Sequence, residues 1–316
     1  MYKQILKILL LAACVSILAG CATSVRQVEA ASDRLSVVAT IFPLYDFARA
    51  VVNEDVALTM MLSPGMDIHA FDPSPADIIS IQNADVFIYI GGESESWVDG
   101  ILASMDLENK KILRLIEYID ISHNHHHSHH HDHGHSHHHD IDEHIWTSPY
   151  NAALMVQAIA DILAEADEAN ANYFMQNAAN YIRQILDLDA AFKLLAESAE
   201  DPTIIVGDRF PFRYFVDRYG ISYYSAFEGC GVGLDPSPAI VAQLVNVVRE
   251  RSAEYIFHIE SSRQNITDII ANETGAEALL LHSVQNVSWE EWEAGETYLS
   301  LMQENLHNLR RGFGIP

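Results

Sequence analysis

Histidine side chains concentrate in one short stretch of this chain. Twelve of the 17 histidines lie between His123 and His139, in the run HNHHHSHHHDHGHSHHH. Neutral imidazole is a common ligand for zinc, copper, iron and nickel. Because the run has almost no apolar residues to bury, it predicts a solvated loop that attracts metal ions. A spacer with no role is the alternative, whereas an expression tag is disfavoured since the run is internal and interrupted.

Four further residues of metal-binding type come at predicted loop or strand-end positions. His69 lies in the Gly/Pro-rich segment SPGMDIHAFDPSPADI, and His144 lies in DEHIWTSPYNA, just before a predicted helix. Asp208 follows the apolar run TIIVG, and His282 follows EALLL. Tetrahedral zinc takes His nitrogen and carboxylate oxygen. The four residues, two from each half of the chain, therefore predict a zinc site assembled across a cleft.

Alternating strand and helix patterns predict parallel α/β units in both halves. Buried strands are predicted at 36–42, 56–62 and 85–91. After residue 202 the pattern resumes with TIIVGD, ISYYSAF, EYIFHIE and EALLLHS as strands. One amphipathic helix, from Trp289 to Arg311, is predicted to close the chain. Ligands of open α/β sheets bind at the carboxyl ends of the strands, and in two-lobed proteins the cleft is favoured.

A long periodic segment separates the two halves. Between residues 170 and 199 apolar side chains recur every three or four positions, and no Gly or Pro interrupts them. A helix of that length spans about 45 Å. We therefore expect a linking helix at 168–200, a first lobe at 34–167 that contains the His-rich loop 122–140, and a second lobe at 201–316. Two shorter helices within one domain are the alternative.

The first residues predict export. Lys3 and Lys7 precede the apolar run ILLLAACVSILAG, which is too short and wrongly flanked for a spanning helix and is typical of a signal peptide, at 1–20. The run ends in LAGC and resembles a bacterial lipobox. This resemblance implies lipidation of Cys21 and anchoring to the cell membrane on its extracytoplasmic side. An ordinary cleaved signal with an incidental Cys is the alternative. Residues 21–33 are expected to form a flexible leash.

Composition fits an exported soluble domain. The hydrophobic fraction of 49% supports a real core. The formal net charge is -26, and it becomes -28 when residues 1–20 and their two lysines are removed. Such an acidic surface argues against nucleic acid as a partner and suits a protein that attracts cations. Since Cys14 leaves with the signal peptide and Cys21 is lipidated, Cys230 has no partner and no disulfide is expected.

Three motifs resemble those of the zinc- and manganese-binding lipoproteins of ABC transporters, the ZnuA-like solute-binding proteins. GMDIHAFDPSPADI is similar to their G-x-D-P-H-x-Y-E-P-S/T-P-x-D loop, DEHIWTSPYNAALM to their D-P-H-x-W-x-x-P segment, and ETGAEALLLHS to their E-T-G-A-x-V-x-x-L-D strand. The resemblance covers nearly all of the mature chain. It implies two α/β lobes joined by one rigid helix. It also implies an extracytoplasmic protein that captures Zn²⁺ in the interlobe cleft and delivers it to an ABC transporter membrane permease. We expect a monomer.

The third ligand departs from the family pattern. The family has a His or Glu at the position that, counted back from Tyr214, holds Arg209 in this chain. A guanidinium group cannot bind a metal ion. Asp208, one residue earlier, takes the role if the loop shifts. A helix N-cap, or an ion-pair partner for Arg209 or Arg213, is the alternative reading of Asp208.

The other ligand positions of the family hold residues of metal-binding type in this chain. His69 and His144 match family ligands directly. His282 stands where the family often has the Asp of its L-D motif, and a buried structural His is the alternative. Glu260, at the end of EYIFHIE, matches an acidic residue near the family site. We expect it to support a ligand by a hydrogen bond or to be an alternative ligand.

Three imidazoles and one carboxylate favour zinc over manganese, which prefers oxygen ligands. Manganese, copper and nickel stay open as alternatives. A secreted zinc hydrolase is disfavoured because the sequence has no H-E-x-x-H and no G-x-S-x-G motif, so we predict that the protein is not an enzyme. A surface adhesin is disfavoured because neither repeats nor a cysteine framework are present.

Overall fold

The computed structural model describes residues 34–120, 142–227, 236–260 and 265–316. The predictions made for the signal peptide, the leash with Cys21, the His-rich loop 122–140 and Cys230 lie outside the described residues. Residues Leu35–Pro316 form one compact unit.

Four short parallel strands form the first sheet, in the order β2-β1-β3-β4. They are β1 (Ser36–Ala39), β2 (Ala57–Met60), β3 (Val86–Tyr89) and β4 (Lys111–Arg114). The central strand β3 is fully buried. The edge strand β2 is half-exposed, although its sequence predicts a buried strand, because an edge position has a neighbour on one side only. The short strand β4 was not predicted.

Four helices accompany this sheet: α1 (Phe42–Val51), α2 (Pro75–Asn83), α3 (Trp97–Leu102) and α4 (Pro149–Ala166). Helix α2 begins sharply, because Ser74 and Asp77 form a reciprocal capping box and Pro75 occupies the first helical turn. This start fixes the end of the loop that carries His69.

Helix α5 (Ala171–Ser198) follows as one continuous element of 28 residues. The single helix was predicted, and the alternative of two shorter helices is wrong. Its buried face includes seven residues at helical spacing: Phe174, Ala178, Tyr181, Ile185, Leu188, Phe192 and Leu195. They join one hydrophobic core to which both halves of the chain contribute.

The second sheet repeats the topology of the first, in the order β6-β5-β7-β8 with all strands parallel. Its strands are β5 (Thr203–Val206), β6 (Ser222–Ser225), β7 (Tyr255–His258) and β8 (Glu277–Leu280). The helices are α6 (Arg213–Tyr219), α7 (Pro238–Arg251), α8 (Asn265–Thr274), α9 (Trp289–Ala294) and α10 (Tyr298–Gly312). The chain thus has the predicted α/β fold, with two parallel sheets and a long helix between them in sequence.

The prediction of a single closing helix is wrong. Gly295 has a φ of 76°, a left-handed conformation that ends α9, and Thr297 then caps α10 through a capping box with Ser300. The break brings the N-terminus of α10 onto Asp46 of α1, which accepts hydrogen bonds from Tyr298 N at 2.8 Å and from the Tyr181 hydroxyl at 2.9 Å. This buried carboxylate joins α1, α5 and α10.

The strand order reverses direction between β1 and β3 in one sheet and between β5 and β7 in the other. Open α/β sheets bind ligands at this reversal, beyond the carboxyl ends of the strands. The segments that follow these strands carry Ser94, Asp208 and Glu260. Within the described ranges, no helix has both the length and the apolarity needed to cross a bilayer.

Candidate metal centre

The loop between β2 and α2 carries His69 in a single 3₁₀ turn, Ile68–Ala70. Asp67 caps this turn, and its Oδ1 accepts the backbone N–H of His69 at 3.0 Å. The Oδ2 atom of Asp67 pairs with Nη1 of Arg209, from the β5–α6 loop, at 3.1 Å. Asn286, which follows β8, donates to two carbonyl oxygens of the loop. The second half of the chain therefore holds the His69 loop in place.

The proton on the His69 ring can be assigned from its neighbours. Ser94 donates its hydroxyl proton to Glu143 Oε1, and its backbone N–H donates to Glu143 Oε2 at 2.9 Å. Gly92 permits this approach, because a Cβ there would overlap the Glu143 carboxylate. Since the only hydroxyl proton of Ser94 is used, its Oγ accepts from His69 Nδ1, which lies 2.6 Å away. The lone pair of the His69 ring is therefore on Nε2.

His144 is oriented in the same way by a different partner. Its backbone N–H and its Nδ1–H both donate to Asp142 Oδ1, at 3.0 and 2.8 Å. The carbonyl of Asp142 in turn accepts the Tyr214 hydroxyl at 2.8 Å. Metal-binding imidazoles commonly donate one ring N–H to a carboxylate, which leaves the other nitrogen for the metal. The His144 ring is buried, with its centroid 5.8 Å from that of His69.

Trp146 fixes the segment that carries His144 to the second half of the chain. The ring centroids of Trp146 and His144 lie 5.2 Å apart. The indole N–H donates to the carbonyl of Ser283 at 2.8 Å, and the Tyr298 hydroxyl donates to the carbonyl of Trp146 at 2.9 Å. Both hydrogen bonds are buried, so the position of His144 is set by contacts from three separate segments.

Three side chains form a group suited to a metal ion. One ligand atom each from His69, Glu143 and His144 lies within 4.8 Å of the other two. In the part of the chain that the structure describes, no other set of His, Cys, Asp and Glu side chains meets this spacing. Two imidazoles and a carboxylate match the ligands that zinc takes.

The electrostatics favour the protonation states that metal binding requires. Burial, and next the neighbouring His144, lower the pKa of His69. Burial alone would raise the pKa of Asp142, but its hydrogen bonds with His144 outweigh burial and lower it. At neutral pH the His69 imidazole is therefore neutral and the Asp142 carboxylate is ionised, so a cation meets a lone pair on His69.

Asp208 lies outside the group of three. It is buried, its Oδ1 accepts the backbone N–H of Arg209 at 2.8 Å, and its Oδ2 accepts no hydrogen bond from the described residues. It does not cap α6, whose N-cap residue is Phe212, so the capping alternative is wrong. Arg209 pairs with Asp67 instead of the Asp208 carboxylate. A buried carboxylate oxygen without a hydrogen-bond donor is costly.

His282 also lies outside the group and is buried. Its Nδ1 accepts the backbone N–H of Val284 at 2.9 Å, and its Nε2 lies 3.4 Å from Glu291 Oε1. Burial lowers the pKa of His282, but the carboxylates of Glu260 and Glu291 outweigh burial and raise it. Glu260 Oε2 accepts the backbone N–H of Ser283 at 2.7 Å and lies 3.7 Å from His282. The assignments of Asp208, His282 and Glu260 stay predictions.

Sequence reasoning missed four residues at this site. Asp142 and Glu143 stand beside His144 in the sequence, so their proximity was a usable signal. Ser94 and Gln285 belong to separate loops and gave no local signal. The Gln285 side-chain nitrogen lies 3.4 Å from His69 Nε2, and with Ser94, Glu143 and Trp146 it lines a cavity beside the ring.

A family model described as "Zinc-uptake complex component A periplasmic", ZnuA, matches residues 37–312. The chain belongs to the ZnuA family. The sequence motifs around His69 and His144 implied this membership, and the two residues they highlight are the imidazoles that the fold brings together.

Relatives of this chain include proteins of Bacillus subtilis and Streptococcus pyogenes. The chain is 31% identical to the high-affinity zinc uptake system protein ZnuA of Bacillus subtilis, over 98% of each chain. It is 30% identical to the zinc-binding protein AdcA of Streptococcus pyogenes serotype M3, over 96% of this chain and 61% of AdcA. This chain thus spans about three fifths of the length of that relative.

Solved ZnuA-family structures share the fold. The Zn(II)-bound ZnuA-like domain of Streptococcus pneumoniae AdcA superposes with a TM-score of 0.74 at 25% identity, over 89% of this chain and 99% of the domain. The metal-dependent lipoprotein YcdH of Bacillus subtilis gives a TM-score of 0.76 at 27% identity, over 88% and 99%. The laminin-binding protein Lmb of Streptococcus agalactiae, 21% identical with a TM-score of 0.74 over 89% and 99%, shares the fold alone.

Proposed function

We propose that this protein captures Zn²⁺ and delivers it to an ABC importer. The observation that carries the proposal is the pair of converging imidazoles, His69 and His144. Each has its Nδ1 held by an oxygen, and each contributes to a group whose ligand atoms lie within 4.8 Å of one another. Imidazole-rich sites favour zinc over manganese. The zinc-binding names of the relatives support the same cation.

In this proposal His69 and His144 bind the cation through Nε2. Asp208 supplies a carboxylate oxygen from the second half of the chain; in support, its Oδ2 has no donor among the described residues. Glu143 holds Ser94 against His69 and adds negative charge beside the cation. His282 would join the ligands only if its ring gave up the hydrogen bond from Val284.

The proposal extends to the cellular setting. The family description and the lipoprotein name of the Streptococcus pneumoniae relative support an extracytoplasmic protein. We assign lipidation to Cys21, the two lobes to 34–167 and 201–316, and the linking helix to 168–200. The protein acts as a monomeric carrier, with a membrane permease as partner, and not as an enzyme. Manganese binding in the same site is the alternative.

The decisive experiment is a zinc titration against a competing chelator of known affinity. His69→Ala and His144→Ala should each weaken the tight site at least about a hundredfold, because a closed zinc site draws its binding energy from about four ligands. His307→Ala removes an exposed imidazole on α10 and should leave the tight site unchanged. Wild-type affinity in His69→Ala or His144→Ala would contradict the proposed site.

A further inference from the structure

Arg209 lies between two of the proposed zinc ligands. Its backbone N–H donates to Asp208 Oδ1 at 2.8 Å, and its Nη1 pairs with Asp67 Oδ2 at 3.1 Å. The other carboxylate oxygen of Asp67 accepts the backbone N–H of His69 at 3.0 Å. One residue of the β5–α6 loop thus contacts Asp208 directly and is connected to His69 through a single carboxylate.

The two carboxylate oxygens of Asp67 have different partners. Oδ1 caps the 3₁₀ turn Ile68–Ala70, and Oδ2 accepts a hydrogen bond from the Arg209 guanidinium group, 142 positions away in the sequence. Because a carboxylate is planar, a partner on one oxygen restricts rotation of the other. The ion pair therefore orients the cap, and the cap fixes the backbone that carries the His69 ring.

The ion pair presents little net charge to the His69 ring. Burial is the largest cause of the lowered pKa of His69, whereas the charge of Asp67 raises that pKa and the charge of Arg209 lowers it. The fields of two opposite charges held 3.1 Å apart oppose each other at the ring. Removing both charges together should therefore change the position of His69 more than the electrostatic potential around it.

We infer that Arg209 is a positioning residue for zinc capture. Acting through Asp67, it holds the His69 loop against the β5–α6 loop, so that His69 and Asp208 can bind one cation. This inference rests on the proposed function. The exposed fractions of the Arg209 and Asp67 side chains are 22% and 34%, so the contribution of the pair is modest and is reduced by salt. Asn286 holds the earlier part of the loop independently, and the loop should keep its fold without the pair.

The test is the double variant Asp67→Asn/Arg209→Met. It removes the ion pair, leaves the net charge unchanged and keeps a side-chain oxygen to cap His69. Zinc affinity, measured by competition with a chelator, should fall about twofold to fivefold, the range expected for a partly exposed ion pair. If this variant does not fold, Asp67→Asn/Arg209→Leu takes its place with the same expectation.

Lys111→Met/Glu165→Gln is the matched control. It removes an ion pair of 3.0 Å without changing the net charge. Lys111 begins β4 and Glu165 lies in the last turn of α4, so the pair is away from the carboxyl ends of the strands, where the proposed site lies. The control should bind zinc with wild-type affinity.

Two further measurements separate positioning from a general loss of stability. Arg209→Lys keeps a charge that can make the single contact to Asp67, so it should retain most of the wild-type affinity. Raising the NaCl concentration from about 0.05 M to about 0.5 M should narrow the difference in affinity between wild type and the double variant, because salt screens a partly exposed ion pair.

Wild-type affinity in the double variant would overturn the inference, as would an equal loss of affinity in the Lys111/Glu165 control. A loss in Arg209→Lys as large as in the double variant, or a difference that does not change with salt, would also overturn it. The zinc-binding proposal would survive each of these results if His69→Ala still loses the tight site. If the wild-type protein lacks a tight site, both proposals fail.

Discussion

His69 and His144 reach the same chemical state through different neighbours. The Ser94 hydroxyl, which donates a hydrogen bond to Glu143, accepts one from the His69 ring, and the carboxylate of Asp142 accepts one from the His144 ring. In both rings Nδ1–H donates a hydrogen bond, so Nε2 carries the lone pair. The tautomer of each ring is therefore set by the protein before a cation arrives, and binding requires no proton transfer between the two ring nitrogens.

Asp208 offers a sharp test at the same scale. Asp208→Asn keeps the size and the acceptor for the Arg209 N–H but removes the charge. If Asp208 binds zinc, Asp208→Asn and Asp208→Ala should weaken binding about as much as His144→Ala, and Asp208→His should partly restore it. Asp208→Asn should not destabilise the metal-free protein, since the buried Oδ2 has no donor among the described residues.

Chelator competition and thermal melts with and without zinc measure both effects of Asp208→Asn. The rise in melting temperature on adding zinc should shrink in the variant. Unchanged zinc affinity in Asp208→Asn would remove Asp208 from the ligands and favour Glu143 in its place.

The sequence was sufficient to predict that His69 and His144 lie close together, because each stands in a recognisable motif next to turn-forming or helix-starting residues. It was not sufficient for Ser94 or Gln285. Ser94 lies 25 positions from His69, and Gln285 lies 216 positions away. Both act through tertiary contacts that depend on where separate loops meet, and neither residue type suggests a metal site by itself.

At the scale of elements, the turn between β3 and α3 places a buried acid next to the site. Glu95 lies in the 3₁₀ turn Glu93–Glu95, and its Oε2 accepts the N–H groups of Ile90 and Gly91 at 2.7 and 2.8 Å. Burial raises the pKa of Glu95 to about 7, and the nearby charge of Glu143 adds to the rise. The carboxyl group is thus about half protonated at neutral pH.

This raised pKa predicts a pH dependence of stability. The pKa of Glu95 is higher in the folded state than in the unfolded state. Protonation of Glu95 therefore stabilises the fold fully below about pH 4.5, and this stabilisation is lost as the pH rises towards 7. Glu95→Gln mimics the protonated acid, so it should raise the free energy of unfolding relative to wild type at pH 8 and leave it nearly unchanged at pH 4.5.

Urea melts of the metal-free protein at the two pH values would measure this difference. Glu93→Gln, which changes an exposed carboxylate in the same turn, is the matched control. A difference between Glu95→Gln and wild type that stays the same at both pH values would contradict the assignment of a buried, protonated Glu95.

The elements themselves were largely predictable. Helix α5 was predicted at 168–200 and runs over Ala171–Ser198, because its apolar period continues through 28 residues without Gly or Pro. The break between α9 and α10 was missed, since a single Gly295 in a left-handed conformation was not recognised as a stop. The exposure of β2 was also missed, because position at a sheet edge is a property of topology and not of the strand's own sequence.

At the scale of the whole molecule, the chain combines a large negative net charge with a histidine-rich run. The net charge of -26 attracts cations towards the surface, and we expect the His-rich run to supply weak ligands. Replacing residues 123–139 by a Gly/Ser segment of equal length should lower the number of weakly bound zinc ions and leave one tight site, because the run lacks apolar residues to fix a cage. Equilibrium dialysis with elemental analysis would count both classes of site. Loss of the tight site would mean that the run itself supplies essential ligands.

The segments that carry His69 and His144 are held in place by different contacts. The segment carrying His144 is fastened by Trp146, which hydrogen-bonds both Ser283 and Tyr298 in buried surroundings. His69 instead lies on a partly exposed loop, held by the Arg209–Asp67 ion pair and by two hydrogen bonds from the Asn286 side chain. Because the contacts of the His69 loop are only partly buried, whereas those of Trp146 are buried, we expect His69 to move first when the site opens. We expect a fixed order of departure, in which the cation leaves His69 before His144 and exits on the side of the His69 loop. In the proposed delivery to an importer, a transporter that docks over the His69 loop would receive the ion from that loop. The segment that carries His144 would keep its position.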